Sequence, residues 1–310
     1  MKLKSPLRGW ETRWGLFFIA PWLIGFAVFY LAPMAASIGF TTLHMDLANP
    51  DRQHFVGAAN WIRALTADPE IYQGIGRTLL FTLVTLPVGF AFALVMALLL
   101  NSRLLLGTSW FRTLFYLPTM IPLVAGVLIW AGVLNEQTGW MNRLIQTATG
   151  FHAVGVAGLR WMADPALIYF SYTLIGLWGL GNTILVLMAG LQAIPTELFE
   201  AAEIDGASWT VRMTRITLPM LTPIIFYNLV IGLIGLMQYF LVPFVLNGGS
   251  GFPDGWSNFI MIYFYKQSFD YNNMGYGSVI AWIIFFIGLL FTALLFGTSR
   301  RWVFYAGEKE

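Results

Sequence analysis

Residues 200–219 read EAAEIDGASWTVRMTRITLP and separate two long apolar stretches. Charged residues make up only 10% of the chain, yet four carboxylates and two arginines lie in or beside this segment. They are Glu197, Glu200, Glu203, Asp205, Arg212 and Arg215. Charges are costly to bury without partners, so a polar segment between apolar helices needs either water or a soluble protein beside it.

The rest of the chain is strongly apolar. Hydrophobic residues account for 58% of it, above the roughly 45–50% that is usual for soluble domains, which identifies an integral membrane protein. The chain has no cysteine, which excludes disulfides, thiolate chemistry and cysteine metal sites. Its net charge of +2 is too small to indicate a nucleic-acid partner.

Six stretches are long and apolar enough to cross a bilayer, which takes about 20 residues per helix. They are residues 16–40, 78–101, 110–133, 166–191, 220–246 and 278–298. The sequence therefore predicts an all-α membrane protein with a single domain over 1–310. Basic residues before the first stretch also fit a signal peptide, but its apolar run exceeds the usual core of about 7–15 residues and favours a retained helix.

Lysine and arginine are unevenly divided between the two sides of the membrane. If the N-terminus is cytoplasmic, eleven fall on that side and six on the other. Cytoplasmic loops carry the excess of positive charge, so both termini and the segment 195–218 are expected in the cytoplasm. The longer connections near 41–77, 134–165 and 247–277 then lie outside. There, the apolar stretch 256–269 is expected to lie along the membrane interface as a short helix.

The six stretches contain no Asp, Glu, Lys, Arg or His away from their ends. An ionisable group at mid-membrane costs about 2.5–3.5 kcal/mol and usually marks an ion or proton pathway. The sequence therefore argues against an ion-coupled pump that works within this chain alone. Energy for uphill transport would have to enter from outside the membrane.

Prolines recur in or beside the predicted spans, where each removes a backbone donor. They are Pro21, Pro33, Pro87, Pro118, Pro122, Pro219, Pro223 and Pro243. Membrane helices tolerate proline when neighbouring groups satisfy the freed carbonyls, so local loosening of the helices is expected at these positions.

Uncharged polar and aromatic side chains lie within the fourth and fifth spans. They are Trp178, Asn182, Tyr227, Asn228, Gln238 and Tyr239. Amides exchange hydrogen bonds with hydroxyls, and aromatic rings cover apolar C–H surface, so the set suits a neutral polyhydroxylated solute. Hydrogen bonding between helices uses the same residue types and is the alternative explanation.

The segment 195–218 carries the local signals of a helix, a turn and a second helix. Pro195 and Thr196 begin the first helix, and Gly206 supplies the permissive backbone that ends it. Ser208 can cap the second helix. Two small residues, Ala201 and Ala202, keep the first helix narrow, so a partner surface is able to approach closely.

The spacing of the charged segment resembles a known signature. Permeases of bacterial ATP-binding-cassette (ABC) importers carry Glu-Ala-Ala, three residues, Gly, nine residues, Ile, one residue and Leu-Pro in the cytoplasm. The positions are filled here by Glu200, Ala201, Ala202, Gly206, Ile216, Leu218 and Pro219. Residues 21–26, 189–195 and 274–278 are similar to the carbohydrate-uptake branch, which includes permeases for maltose, multiple sugars and glycerol phosphate.

The resemblance implies a type I importer permease with six transmembrane helices and a coupling helix that seats in a cleft of an ATP-binding subunit. The residues that would make this contact are Glu200, Ala201, Ala202, Asp205 and Gly206. ATP and Mg²⁺ would be bound by the partner, and this chain would carry no cofactor, no metal and no catalytic residue. Its sequence has no Gly-rich loop followed by Lys-Ser or Lys-Thr, which a phosphate site requires.

The resemblance also implies partners and a place in the cell. A second, homologous permease is expected, as a heterodimer, although a homodimer stays open. Two ATP-binding subunits, an external solute-binding protein and the lipid of the bacterial inner membrane complete the set. Five candidates for the solute pathway follow: Trp178, Asn182, Asn228, Gln238 and Tyr239. The alternatives are an ion-coupled secondary carrier and an ABC permease for a non-sugar solute such as glycerol phosphate.

Overall fold

The computed structural model describes residues 7–102, 105–150 and 159–304, and these are mostly helical. The helices are α1 Leu7–Phe26, α2 Ala32–Thr41, α3 Ala59–Thr66, α4 Pro69–Asn101, α5 Thr108–Tyr116, α6 Leu123–Val133, α7 Trp140–Thr149, α8 Pro165–Trp178, α9 Gly181–Gln192, α10 Thr196–Ile204, α11 Trp209–Arg212, α12 Leu218–Met237, α13 Leu241–Asn247, α14 Ile260–Tyr265 and α15 Met274–Ser299. Two short strands, β1 Leu43–His44 and β2 His54–Phe55, pair antiparallel. The chain divides into two compact units, Met1–Asp68 with Phe264–Trp282, and Pro69–Tyr263 with Ile283–Glu310.

The first unit contains the first predicted span and the loop between α2 and α3. Between α1 and α2 the helix continues through one π-helical turn at Ala27–Leu31. The loop after α2 is tied to the start of α15 through its backbone, because Leu47 donates to the Asn272 carbonyl at 2.9 Å and Met274 donates to the Met45 carbonyl at 3.0 Å. These bonds give the loop a fixed shape.

Tyr276 anchors the first unit. Its ring is fully buried, its hydroxyl donates to the Asp68 carboxylate, and the Arg63 guanidinium lies 4.3 Å above the ring centre. Gly275 next to it packs so closely that a Cβ would collide with the Leu43 carbonyl oxygen. The segment 274–278, which resembles the carbohydrate-uptake branch in sequence, therefore holds the loop between α2 and α3 in place.

The second unit is built around α4, which packs against α8, α9 and α12. One apolar cluster surrounds Phe81, Tyr172 and Phe259, and a second joins Leu187 to Leu221. The helix α8 begins where the Asp164 side chain accepts a hydrogen bond from the Ala166 amide at 2.9 Å, a typical N-cap followed by proline.

Four helical segments are long and apolar enough to cross a membrane: Arg13–Thr41, Pro69–Asn101, Trp209–Asn247 and Met274–Ser299. Two further segments are bent pairs. Thr108–Met120 and Leu123–Val133 meet at 106°, and Pro165–Trp178 and Gly181–Gln192 meet at 57°. The described residues thus hold four spans, or up to six if each bent pair is one span.

The two bends occur at different kinds of local sequence. Between α5 and α6, Ile121 has extended backbone with ψ 130°, as expected for a residue that precedes a proline. Between α8 and α9, the chain turns at Gly179 and Leu180 without any proline. The predicted stretches 110–133 and 166–191 are therefore interrupted helices rather than straight ones.

Residues 256–269 contain a short helix, as the sequence predicts, and this helix, α14, begins at Ile260. Its start is packed into the protein, because Phe259 and Ile262 are fully buried and the Ile260 amide donates to the Thr78 hydroxyl of α4 at 3.1 Å. At the two ends of the stretch, Trp256 and Phe269 are 38% and 48% exposed. The position of the stretch along the membrane interface stays a prediction.

Candidate functional site

The charged segment forms two short helices with a defined turn between them. The helix α10 ends at Ile204, and two residues later Gly206 turns the chain with a φ of +75°, in the left-handed region. The Ala207 amide donates to the Ala202 carbonyl at 2.8 Å, and the Gly206 amide donates to the Glu203 carbonyl at 3.0 Å. This pair of bonds is the Schellman arrangement that favours glycine, so the sequence-based assignment of Gly206 agrees with the local geometry.

The second helix of the segment is capped and tied to the first. The Val211 amide donates to the Ser208 hydroxyl at 3.5 Å, at the start of α11. An ion pair of 3.5 Å joins Arg212 of α11 to Glu203 of α10. The two helices therefore hold each other at one angle.

The predicted partner-facing residues lie on the outside of this pair of helices. Glu200, Ala201, Asp205 and Gly206 are exposed, and Ala202 is half-buried. The structure adds two apolar side chains that the sequence analysis missed: Ile204 is 87% exposed and Trp209 is 65% exposed, one on each side of the turn. Their nearness to the turn at Gly206 was the one local signal, and it does not by itself distinguish an exposed side chain from a buried one.

The base of the segment is firmly attached. Leu191 and Ile194 are buried in the cluster with Leu221, and Phe199 of α10 and Ile216 pack against the same cluster. Gly190 approaches α12 so closely that a Cβ would collide with Ile224. The segments on both sides of α10 and α11 are therefore anchored to one apolar cluster, and α10 itself reaches that cluster through Phe199.

Three of the predicted pathway residues lie where helices are interrupted. Trp178 is the last residue of α8, and Gln238 and Tyr239 fall in the gap between α12 and α13. Asn182 lies in the first turn of α9, just after the bend, and both it and Gln238 are exposed. Interrupted helices present unpaired backbone groups, and in membrane proteins these line cavities or bind ligands.

A cavity of about 450 Å³ lies between the two bends. The rings of Trp178 and Trp130 both line it, with centres 6.1 Å apart and planes at 76°. Phe115, Pro118 and Leu177 form other parts of its wall. The lining is almost wholly apolar and aromatic, which suits the C–H faces of a solute better than its hydroxyls.

A second cavity, of about 170 Å³, lies between α4, α8, α9 and α12. Leu177 lines it as well, together with Asn228 and three threonines, Thr85, Thr173 and Thr183. The Asn228 amide donates to the Ile224 carbonyl at 2.9 Å, as in hydrogen bonding within a helix bundle. Asn228 therefore lies apart from Trp178, in a cavity with more hydroxyl groups.

Tyr239 lies in neither cavity. Its ring packs in an aromatic cluster with Phe81, Phe259 and Tyr172 at centre distances of 4.6, 5.5 and 5.9 Å. Its hydroxyl is buried and makes no hydrogen bond with any of the residues that the structure describes. Sequence reasoning placed Tyr239 in the pathway, whereas in this conformation the aromatic cluster encloses it.

Comparisons with known proteins agree with the signature at 200–219. The family described as "Binding-protein-dependent transport system inner membrane component" matches residues 89–303. The probable ABC transporter permease protein YesP of Bacillus subtilis is 34% identical over 96% of this chain and 93% of its own length. The trehalose/maltose transport system permease protein MalF of Thermococcus litoralis is 31% identical over 96% of this chain and 97% of its own.

Other relatives and a solved structure extend the match. The arabinooligosaccharides transport system permease protein AraP of Bacillus subtilis is 32% identical over 90% of this chain and 85% of its own. A chain of a bacterial alginate ABC transporter, crystallised with a periplasmic protein bound to an alginate pentasaccharide, has a TM-score of 0.78, covers 96% of this chain and 98% of its own, and shares 20% identity. The chain therefore belongs to the family of binding-protein-dependent transport system inner membrane components, the permeases of ABC importers.

Proposed function

We propose that this chain forms half of the translocation pathway of an ATP-driven importer for a sugar or a related polyhydroxylated solute. The observation that carries the proposal is the complete signature from Glu200 to Pro219 on a pair of helices that is exposed at its tip and firmly packed at its base. Relatives named for trehalose/maltose and arabinooligosaccharides support a carbohydrate solute.

The assembly we propose has the type I importer architecture with six spans, in which both bent pairs cross the membrane and both termini lie in the cytoplasm. The whole chain forms one permease domain. A second, homologous permease completes the pathway as a heterodimer. Large apolar side chains of the first span, such as Phe18 and Phe29, are exposed and are available for this partner or for lipid. An external binding protein delivers the solute.

The segment 195–218 is the coupling helix in this proposal. Two ATP-binding subunits hold ATP and Mg²⁺ and close on each other when the nucleotide binds. Glu200, Ala201, Ala202, Asp205 and Gly206 contact one of these subunits, and Ile204 fills an apolar pocket on it. Because Phe199 of α10 packs against the cluster that joins α9 to α12, the closure switches the membrane helices between inward and outward states.

The solute pathway follows the interrupted helices. The cavity with Trp130 and Trp178 covers the apolar face of a sugar ring. Asn182, just after the second bend, and Gln238, between α12 and α13, are exposed and offer amide hydrogen bonds. Asn228 and the threonines serve the neighbouring cavity. Tyr239 reaches the solute only when its aromatic cluster separates.

Uptake by proteoliposomes tests the coupling role. The permease pair and its ATP-binding subunits are reconstituted with the external binding protein, and uptake of a radiolabelled sugar is measured with and without ATP. Glu200→Ala should abolish ATP-driven uptake, while Glu197→Ala, a matched carboxylate on the same helix, should retain it. Equal uptake by the two variants would contradict the proposal, and uptake that needs an ion gradient rather than ATP would favour a secondary carrier.

A further inference from the structure

A third cleft, of about 340 Å³, lies in the second unit away from both inner cavities. It is formed by three connections: residues 134–136 after α6, residues 160–163 before α8, and residues 246–252 at the end of α13. On the proposed topology these connections are all on the outer face of the membrane. The cleft thus opens where a solute arrives.

One side of the cleft is held in place by a buried asparagine. Asn142 of α7 is 5% exposed and donates to the Glu136 carbonyl at 3.0 Å and to the Leu159 carbonyl at 3.1 Å. Its side-chain oxygen accepts from the Trp161 indole nitrogen at 2.9 Å. The backbone at 136 and at 159–161 is therefore fixed before any ligand binds, which lowers the entropic cost of binding.

The opposite side is equally well ordered. Asn247 donates to the Phe252 carbonyl at 2.7 Å and to the Tyr172 hydroxyl at 3.1 Å. Tyr172 is fully buried and also shares a hydrogen bond of 2.8 Å with Ser257. The side-chain oxygen of Asn247 accepts no hydrogen bond from any described residue and remains available to a ligand hydroxyl.

The rim of the cleft carries paired charges. The Arg160 Nε lies 3.4 Å from a Glu136 carboxylate oxygen, and both side chains are partly exposed. Their charges cancel, and the guanidinium retains its terminal N–H donors while the carboxylate retains its second oxygen as an acceptor. The side chain of Phe252, 48% exposed, adds a ring at the edge of the cleft.

We propose that this outer cleft binds one ring of a neutral sugar. The inference rests on the proposed sugar import. Donors and acceptors side by side match vicinal hydroxyls, and the Phe252 ring matches the apolar face of a pyranose. The cancelled charge disfavours a phosphate or a uronate, and the volume lies at the lower end of the about 300–1,000 Å³ of small-molecule pockets.

Saturation-transfer NMR on the purified complete transporter tests the proposal. Maltose, trehalose and lactose are the probes, each added separately. Phe252→Ala and Arg160→Gln should weaken the binding of at least one sugar about three- to tenfold. The matched controls are Trp140→Ala and Arg143→Gln. Both residues lie on α7, are exposed, and do not line the cleft, so their substitution should leave sugar binding unchanged.

Three results would overturn the proposal. In the first, the cleft variants bind sugar as tightly as the control variants do, while Trp178→Ala loses the signal. All binding would then lie in the inner cavity. Another is that the cleft variants leave sugar binding intact but reduce stimulation of ATP hydrolysis by the external binding protein, which makes the cleft a protein contact. The third is that the unmodified transporter imports a sugar with ATP but gives no signal with it. Absence of ATP-driven import of any sugar would instead contradict the proposed function.

Discussion

The Arg212 guanidinium lies 3.5 Å from the Glu203 carboxylate, so one ion pair bridges the two short helices of the charged segment. Glu203 is well exposed while Arg212 is half-buried, and pairs of this kind contribute only about 0–1 kcal/mol to stability. The pair therefore matters for the angle between the helices more than for folding.

Breaking this pair is predicted to loosen coupling without unfolding the protein. Arg212→Gln should change the free energy of unfolding by less than about 1 kcal/mol. The number of solute molecules moved per ATP hydrolysed should fall, because the tip of α10 becomes less rigid. The comparison is Arg215→Gln, since Arg215 is exposed and forms no ion pair with a described residue. Equal coupling ratios in the two variants would refute the prediction.

Gly206 is predicted to tolerate asparagine but not valine. The limit at this position is the backbone φ of +75° and not the available space, since a Cβ on residue 206 has no neighbour within 4 Å. Asparagine visits the left-handed region readily, whereas a β-branched residue there costs about 1–2 kcal/mol or more. Co-purification of the ATP-binding subunit provides the measurement. Retention of the subunit by Gly206→Val at the level of Gly206→Asn would show that the turn is not needed.

Tyr239→Phe is predicted to stabilise the protein. The substitution removes a buried hydroxyl that finds no partner among the described residues, and such a group costs about 1–3 kcal/mol. Tyr172→Phe is the matched control and should destabilise, because the Tyr172 hydroxyl bonds to Ser257 at 2.8 Å and to Asn247 at 3.1 Å. Thermal unfolding in detergent should give opposite shifts in Tm for the two variants. Shifts of the same sign would disprove the account.

Gly181→Ala is predicted to destabilise the second unit. A Cβ at this glycine would collide with the Phe115 carbonyl oxygen, which is backbone and cannot rotate away, so overpacking should cost about 1–3 kcal/mol. Gly235→Ala on α12 has no neighbour within 4 Å and should not destabilise. The measurement is the midpoint temperature of thermal unfolding of each variant. A lower midpoint for Gly235→Ala than for Gly181→Ala would contradict the prediction.

Trp178→Ala is predicted to raise the KM for sugar uptake about three- to tenfold, because the larger cavity loses one of its two indole faces. Trp110→Ala is the control, since Trp110 lies on α5, is exposed, and does not line the cavity that contains Trp178. The KM and the maximal uptake rate are measured together in proteoliposomes. A fall in maximal rate with an unchanged KM would point to a structural role instead.

Local features of the fold were predictable from sequence because their causes are local. The stop at Gly206 and the cap at Ser208 depend on a few neighbouring residues, and the structure has both. The break before α6 also had a local signal in Pro122. The bend at Gly179 had none that distinguishes it from the other glycines in the apolar spans, and next to it Gly181 packs against the backbone of Phe115, a residue distant in sequence.

The candidate site was predictable in type but not in arrangement. The amides and rings at 178, 182, 228 and 238 could be selected by composition. Which of them line a cavity depends on which helices meet: Trp178 and Asn228 line different cavities, and Asn182 and Gln238 line neither of the two. Tyr239 and Ile204 also show that burial depends on the tertiary packing, one as a polar group that is enclosed and the other as an apolar side chain that is exposed. An apolar environment encloses the polar end of Tyr239, and Ile204 is left almost fully exposed, and neither outcome is encoded by neighbouring residues alone.

The side chain of Leu177 borders both inner cavities, so the two are compartments with a common wall. On one side of that wall are indole faces, and on the other are threonine hydroxyls and an amide. Any change in the position of Leu177 therefore alters the lining of both spaces at once. For the proposed sugar import, an oligosaccharide that extended across both spaces would meet a different chemistry at each end.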